Sequence, residues 1–305
     1  MVNYVLIGRH GERVDFQNPT VYTLKQMKNI QNGWLNSKRY KENPYDPAIT
    51  KFGKESSRKL VTHLHNKNFL EDINKIVLYS SPFTRCIMTA GGIQQQLKKY
   101  GYTVPIRVEY GLSEAITLPE LVIYNKENDT FEYKQINDTS LLYGRGKNND
   151  INLDEKMTLE NIYKRFPEYT FDESYIPLMP YEPSIIQNFP DYANRLIRVT
   201  NEIIKRNPDT FVIMIGHADL VRFSYDYYIS NHLNEEDYNS IYDENGFGSF
   251  FLFKKDGMNI SLLDFKKNNL EYNKDLPNNK KVYIYYLMIA IIVIIIILQL
   301  KNCKK

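Results

Sequence analysis

Four short apolar runs constrain this 305-residue chain most, because each breaks off at a turn into polar residues. Residues 4–8 lead into Arg9-His10-Gly11-Glu12-Arg13, and residues 75–81 lead into Pro82 and Arg85. Residues 106–112 lead into Ser113-Glu114, and residues 210–215 into Gly216-His217. A short apolar run that stops at a turn reads as a buried strand. Segments with helical spacing lie between the runs. Residues 50–69 carry Phe52, Leu60, Val61 and Leu64 behind a capping Thr50, and a second helix starts at Pro82 and ends near Tyr100. Residues 189–206 place Tyr192, Leu196, Val199, Ile203 and Ile204 on one face, and another helix follows from Ala218 to about Ser230. Strands alternating with helices predict an α/β fold, a three-layer α/β/α sandwich around a mostly parallel central sheet. Residues 250–253 and 260–265 bracket Lys255-Asp256-Gly257 and read as a hairpin.

Residues 119–188 lack clean periodicity and are rich in Tyr, Asn, Asp and Pro. They read as an insertion over the sheet end, with a short helix across residues 158–166. The domain is expected over residues 1–265, followed by a polar linker at 266–281. Residues 282–300 are 19 positions without a charge, and residues 301–305 form a basic tail. Nineteen helical residues reach about 28 Å, close to the roughly 30 Å of a hydrocarbon core. Tyr283, Tyr285 and Tyr286 open the run, where aromatic rings favour an interface. The reading is a C-terminal transmembrane helix. No basic leader or cleavage site precedes the first strand, so the anchor is expected to insert after translation and leave the domain in the cytosol. Net charge is +3, and Lys301, Lys304 and Lys305 account for it. The balance over residues 1–300 gives no support for nucleic-acid binding. Cys86 and Cys303 are the only cysteines, too few for a disulfide framework.

In a parallel sheet the C-terminal strand ends converge, and ligands bind there. The four ends would gather Arg9, His10, Arg13, Arg85, Glu114 and His217. Arginine's planar, permanently charged fork matches phosphate oxygens. Phosphoryl transfer needs charge stabilisation on those oxygens, an in-line nucleophile and a proton for the leaving oxygen. Neutral imidazole is a nucleophile near pH 7, and a carboxyl held protonated can act as the acid, which points to Glu114.

Arg9-His10-Gly11, Ser80-Ser81-Pro82 with Arg85 and Thr89-Ala90, Glu114, and Gly216-His217-Ala218 together resemble the histidine phosphatase (phosphoglycerate mutase-like) superfamily over about residues 3–265. Residues 9–15 and 46–53 look most like the phosphatase domain of the Sts (TULA) signalling proteins. The resemblance implies catalytic roles for His10 as phosphorylated nucleophile, Glu114 as proton donor, and His217. It implies phosphate binding by Arg9, Arg13, Arg85 and His217, with no metal and no cofactor. The implied activity is that of a membrane-anchored phosphomonoesterase acting on a phosphorylated protein or small molecule. A mutase or sugar bisphosphatase of the same superfamily and an inactive phospho-ligand-binding membrane protein stand as alternatives. The sequence leaves the oligomeric state open, a dimer included.

Other candidates carry less. His63 and His65 are two apart on a predicted helix, share no face, and read as solvated rather than as metal ligands. His232 reads as a surface residue. Gly144-Arg145-Gly146-Lys147 lacks the spacing of a phosphate-cradling loop. Cys86 lacks the pattern of a cysteine phosphatase and reads as a buried structural thiol.

Overall fold

β1 (Asn3–Arg9) is buried on both faces: Val5, Leu6 and Ile7 have no exposure. A continuous apolar run requires this of a strand covered on both sides. The computed structural model describes residues 3–15, 22–43, 46–71, 73–114, 120–125, 130–135, 157–181, 189–229, 247–256 and 259–266. After β1 come α1 (Leu24–Leu35), α2 (Lys38–Glu42) and α3 (Lys51–Asn66), then β2 (Ile76–Ser80), α4 (Thr84–Lys99) and β3 (Ile106–Val108). A 3₁₀ turn at Tyr110–Leu112 precedes β4 (Glu120–Asn125) and β5 (Thr130–Gln135). The chain continues through α5 (Leu159–Arg165), α6 (Phe189–Arg206), β6 (Phe211–Gly216), α7 (Ala218–Tyr228), β7 (Phe250–Asp256) and β8 (Asn259–Lys266).

Among the described residues the main sheet runs β3-β2-β6-β1-β7-β8. β3, β2, β6 and β1 are parallel, whereas β7 runs antiparallel to β1 and to β8. The sheet is therefore mixed, parallel over β3, β2, β6 and β1 and antiparallel where the expected hairpin β7–β8 joins it. Two residues separate β7 from β8, and a connection that short permits only antiparallel pairing. Val5, Ile7, Val77, Tyr79, Val212, Met214, Phe251 and Phe253 face α6 and α7 through Leu196, Val199, Ile203, Leu220 and Val221. Alternate residues such as Leu6, Leu78 and Ile213 point to the opposite face. There Ser56, Ser57 and Leu60 of α3 and Thr89 of α4 close over Gly8 and Ile215. Helices thus cover both faces.

Several local readings need correction. α4 begins at Thr84 rather than Pro82, because Ser81 N–H still donates to Ile215 O (2.9 Å) and prolongs the sheet pairing. The third strand stops at Val108, because the Glu109 carboxylate accepts from Gly111 N–H (2.8 Å) and curls the chain into the 3₁₀ turn. The expected insertion contains a two-stranded sheet, β4 against β5. Its helix α5 is capped by Thr158. Phe171 then bridges to Ile106 and shields the outer edge of β3. α1 and α2 were not legible: α1 is mostly polar and buries only Trp34. β7 extends through Lys255, whose buried ammonium donates to Asn207 O (2.6 Å) and Ile204 O (3.3 Å) at the end of α6.

Among the described residues no helix is long and apolar enough to cross a membrane. Lys266, the first residue of the expected linker, ends β8; the rest of the linker, the proposed span at 282–300, the tail, residues 144–147, His232 and Cys303 lie outside the described residues.

Candidate active site

His10 is pinned through its backbone. Its N–H donates to Gly216 O (2.9 Å) at the end of β6, and its carbonyl accepts from Gly248 N–H (3.0 Å) just before β7. The glycine is required there, since its φ is +71°. The ring is buried, with Nδ1 2.8 Å from Gly11 O. A carbonyl can only accept, so Nδ1 carries the proton and Nε2 carries the lone pair. Burial pushes the His10 pKa well below its usual value; Arg85, Arg9 and His217 push the same way, against the Gly11 carbonyl. The imidazole is neutral at pH 7, the form a nucleophile needs.

The loop is held from below as well. Gly11 N–H donates to Thr89 Oγ1 (2.9 Å) on α4. Glu12 is buried; its carboxylate accepts from the Thr50 hydroxyl (2.8 Å) and its carbonyl from Thr50 N–H (2.7 Å). The start of α3 packs so close that a Cβ on Gly11 would lie 2.6 Å from Gly53 O.

Arg85 stands in the first turn of α4, 1% exposed, with its guanidinium carbon 4.3 Å from the Phe83 ring centre. Nη2 donates to Glu114 Oε2 and to His217 Nδ1 (3.3 Å), and Nη1 lies 3.8 Å from Asp46 Oδ1. Because a guanidinium only donates, His217 Nδ1 is an acceptor. Burial, then Arg85, Arg9, Arg13 and Arg195, push the His217 pKa well below its usual value. The neutral ring therefore holds its proton on Nε2 and donates to Ser81 Oγ (2.9 Å). The His10 and His217 rings meet edge to face, 5.5 Å between centres. Cys86 lies 3.6 Å from His217 Nε2 and donates to Gly216 O (3.4 Å). Burial raises its pKa, so it stays a thiol.

Arg9 lies 4.4 Å over the Phe247 ring, and burial brings its pKa down to about 10, which leaves it cationic. Arg13 makes a two-pronged pair with Asp15 (2.8 and 2.5 Å), and its charge still acts on Glu114 and His217. Glu114 follows the 3₁₀ turn and is the most open member, with 37% of its side chain exposed. Burial raises its carboxyl, but Arg85, His10, Arg13 and Arg9 outweigh this and hold it below the usual range. In this arrangement Glu114 is a carboxylate paired with Arg85.

Four neighbours went unrecognised as site residues. Asp46 meets Arg85, and Phe247 lies under Arg9 and against His10 at 5.6 Å between ring centres. Arg195 on α6 donates to Gly111 O (2.7 Å) and Ser113 O (2.8 Å), bracing the segment that carries Glu114. Asp219, in the first turn of α7, has its pKa raised by burial and by Glu114, against Arg222, Tyr192 and Arg9. Only Asp46 had a signal, its place before Pro47; the others come from distant parts of the chain. His63 is not a solvated residue: it bonds Asp264 Oδ2 (2.7 Å) on β8. His65 stacks on Tyr100, with ring centres 4.1 Å apart. Among the described residues no group of three or more His, Cys, Asp or Glu side chains is placed to hold a metal ion.

Residues 6–117 match the sequence profile of the histidine phosphatase superfamily, branch 1. Over that stretch the chain is similar to histidine phosphatase superfamily domains. The match supports a phosphatase enzyme. A crystal structure of an ecdysone phosphate phosphatase from Bombix mori in complex with tungstate shares 15% identity, covers 86% of this chain and 92% of its own, and gives a TM-score of 0.50. At that identity it shows the fold. A phosphoglycerate mutase from Bacillus anthracis str. Sterne (12% identity, 90% of this chain, 96% of its own, TM-score 0.45) is also similar. So is a phosphoserine phosphatase from Entamoeba histolytica (15% identity, 87% and 96%, TM-score 0.41). No curated protein sequence matches the chain. None of these findings singles out the Sts-type phosphatases.

Proposed function

We propose that this chain is a phosphomonoesterase that works through a phosphohistidine on His10. The carrying observation is the His10 ring: Gly11 O holds its Nδ1 proton, burial keeps it neutral, and Arg9 and Arg85 lie beside it. In this reading Nε2 attacks phosphorus as the ester P–O bond breaks, while Arg9 and Arg85 stabilise the charge on the phosphoryl oxygens. His217 steadies Arg85 through Nδ1. Arg85 is also the pivot for the acid. A phosphoryl dianion competes with Glu114 for its guanidinium. Weaker pairing with that cation and a nearby dianion both raise the Glu114 pKa. Glu114 then takes a proton from solvent at its open edge and passes it to the leaving oxygen. In the second half its carboxylate accepts a proton from the water that attacks phosphorus. The P–N bond breaks, releasing phosphate and neutral His10.

Residues 9–15 and 46–53 support a place near the Sts-type phosphatases within the superfamily. The uncharged run at 282–300 supports attachment of the domain to a membrane.

Quenching a reaction with radiolabelled aryl phosphate under non-acidic conditions should trap label on His10. His10→Ala should lose turnover by roughly three orders of magnitude or more. Label on another residue, or substantial turnover by His10→Ala, would overturn the reading.

A further inference from the structure

We propose that Asp46 is a positioning residue for Arg85, competing with Glu114 for its guanidinium and so keeping it available to phosphate. The inference rests on the phosphatase reading only in naming phosphate as the ligand. Asp46 lies between α2 and α3, far in sequence from the helix it serves. Its side chain is 2% exposed. Oδ1 accepts from Thr84 N–H (2.7 Å), and Oδ2 from the Thr84 hydroxyl (2.6 Å) and Arg165 Nη1 (3.5 Å). Arg85 Nη1 stands 3.8 Å from Oδ1.

A buried carboxylate costs several kcal/mol in lost hydration unless it is paired and hydrogen-bonded. A cap alone does not require that cost. Phe83, at the N-cap of α4, makes no side-chain cap bond, and a serine or threonine there would cap the helix with a neutral oxygen. The charge brought in by Asp46 does something a neutral cap cannot. Arg85 has a carboxylate at each end: Asp46 at Nη1 inside, Glu114 at Nη2 at the mouth. The Phe83 ring covers the guanidinium, 4.3 Å from its carbon. With both ends attracted, the group stays spread between them, Nη2 toward the mouth. Without the inner charge it is drawn onto Glu114 alone, and phosphate must break a tighter pair.

Asp46→Asn keeps an oxygen for Thr84 N–H and removes the charge. Titration calorimetry with inorganic phosphate should show binding weakened by about 10–100-fold, as for other residues that orient a ligand-binding group. Thr84→Ala loses one cap bond but keeps the carboxylate at Arg85, and should bind phosphate within about twofold of wild type; thermal melting verifies that each variant is folded. In an Arg85→Ala background, Asp46→Asn should change kcat/KM for an aryl phosphate by less than about twofold, since a residue acting through Arg85 has nothing left to act on. Unchanged phosphate affinity in Asp46→Asn, equal weakening in Thr84→Ala, or a full additional loss in the Arg85→Ala background would each overturn the proposal and leave the phosphatase reading standing. A wild-type protein that neither binds phosphate nor hydrolyses the ester would remove both.

Discussion

His10 and His217 are held neutral by the fold, and that has a consequence for stability. Both have pKa values pushed below the unfolded value of about 6.5 by burial first and by arginines second. As pH falls, the unfolded chain takes up these protons before the folded one. Stability is therefore complete above pH ~6.5 and is lost as pH falls from there toward the folded pKa, at up to about 1.4 kcal/mol per pH unit for each histidine. Urea midpoints between pH 7 and pH 5 should fall more steeply for wild type than for His10→Asn, which keeps an N–H for Gly11 O. Parallel curves would show that His10 is not buried in its neutral form. The same depression keeps His10 unprotonated, and so nucleophilic, in mildly acidic solution.

At the scale of elements, the site depends on how closely α3 approaches the loop after β1. Gly53 is the third residue of α3, where helix propensity alone favours alanine by about 1 kcal/mol. Its added Cβ would lie 2.7 Å from both Glu12 N and Glu12 O, and backbone cannot swing aside as a side chain does. The clash should win: Gly53→Ala is expected to lower stability by about 1–3 kcal/mol net. Because Glu12 is two residues from His10, phosphate affinity should fall as well. A stabilised variant with unchanged affinity would mean that α3 and the loop are looser than this packing requires. Thr50 belongs to the same contact, capping α3 through Gly53 N–H (3.0 Å) while its hydroxyl donates to Glu12.

At the scale of the molecule, parallel strands β1, β2 and β6 bring residues from opposite ends of the chain to one mouth. Arg85 and His217 are 132 positions apart and in contact. The described residues fall within one compact unit, Met1–Asn269. Residues 282–300 are expected to attach it to a membrane. The full chain should sediment with membranes and need detergent for release, whereas a chain ending at Lys281 should be soluble and retain full turnover. A full chain that remains in the soluble fraction would refute the anchor.

The sequence by itself determined β1, β2 and β6 and their sites of exit, since apolar runs and their terminating turns are local patterns. Tyr4 to Gly8 before Arg9-His10, and Phe211 to Ile215 before Gly216-His217, sit in β1 and β6 with the polar residues at the C-terminal ends. The helices α3 and α6 were legible from their apolar spacing, and α3 also from its Thr50 cap. Elements stabilised by other parts of the chain were not. The weakly apolar α1 and the 3₁₀ turn made by the Glu109 carboxylate have no periodic signature. The charge states were decided only in three dimensions. Glu114 is ionised because Arg85 arrives from α4, Arg13 pairs with Asp15, His63 meets Asp264 from β8, and Asp46 reaches Arg85 across the start of α4. Periodicity is written in neighbouring residues, whereas ionisation depends on which charges lie within a few ångströms through space. Only the packed sheet decides which those are.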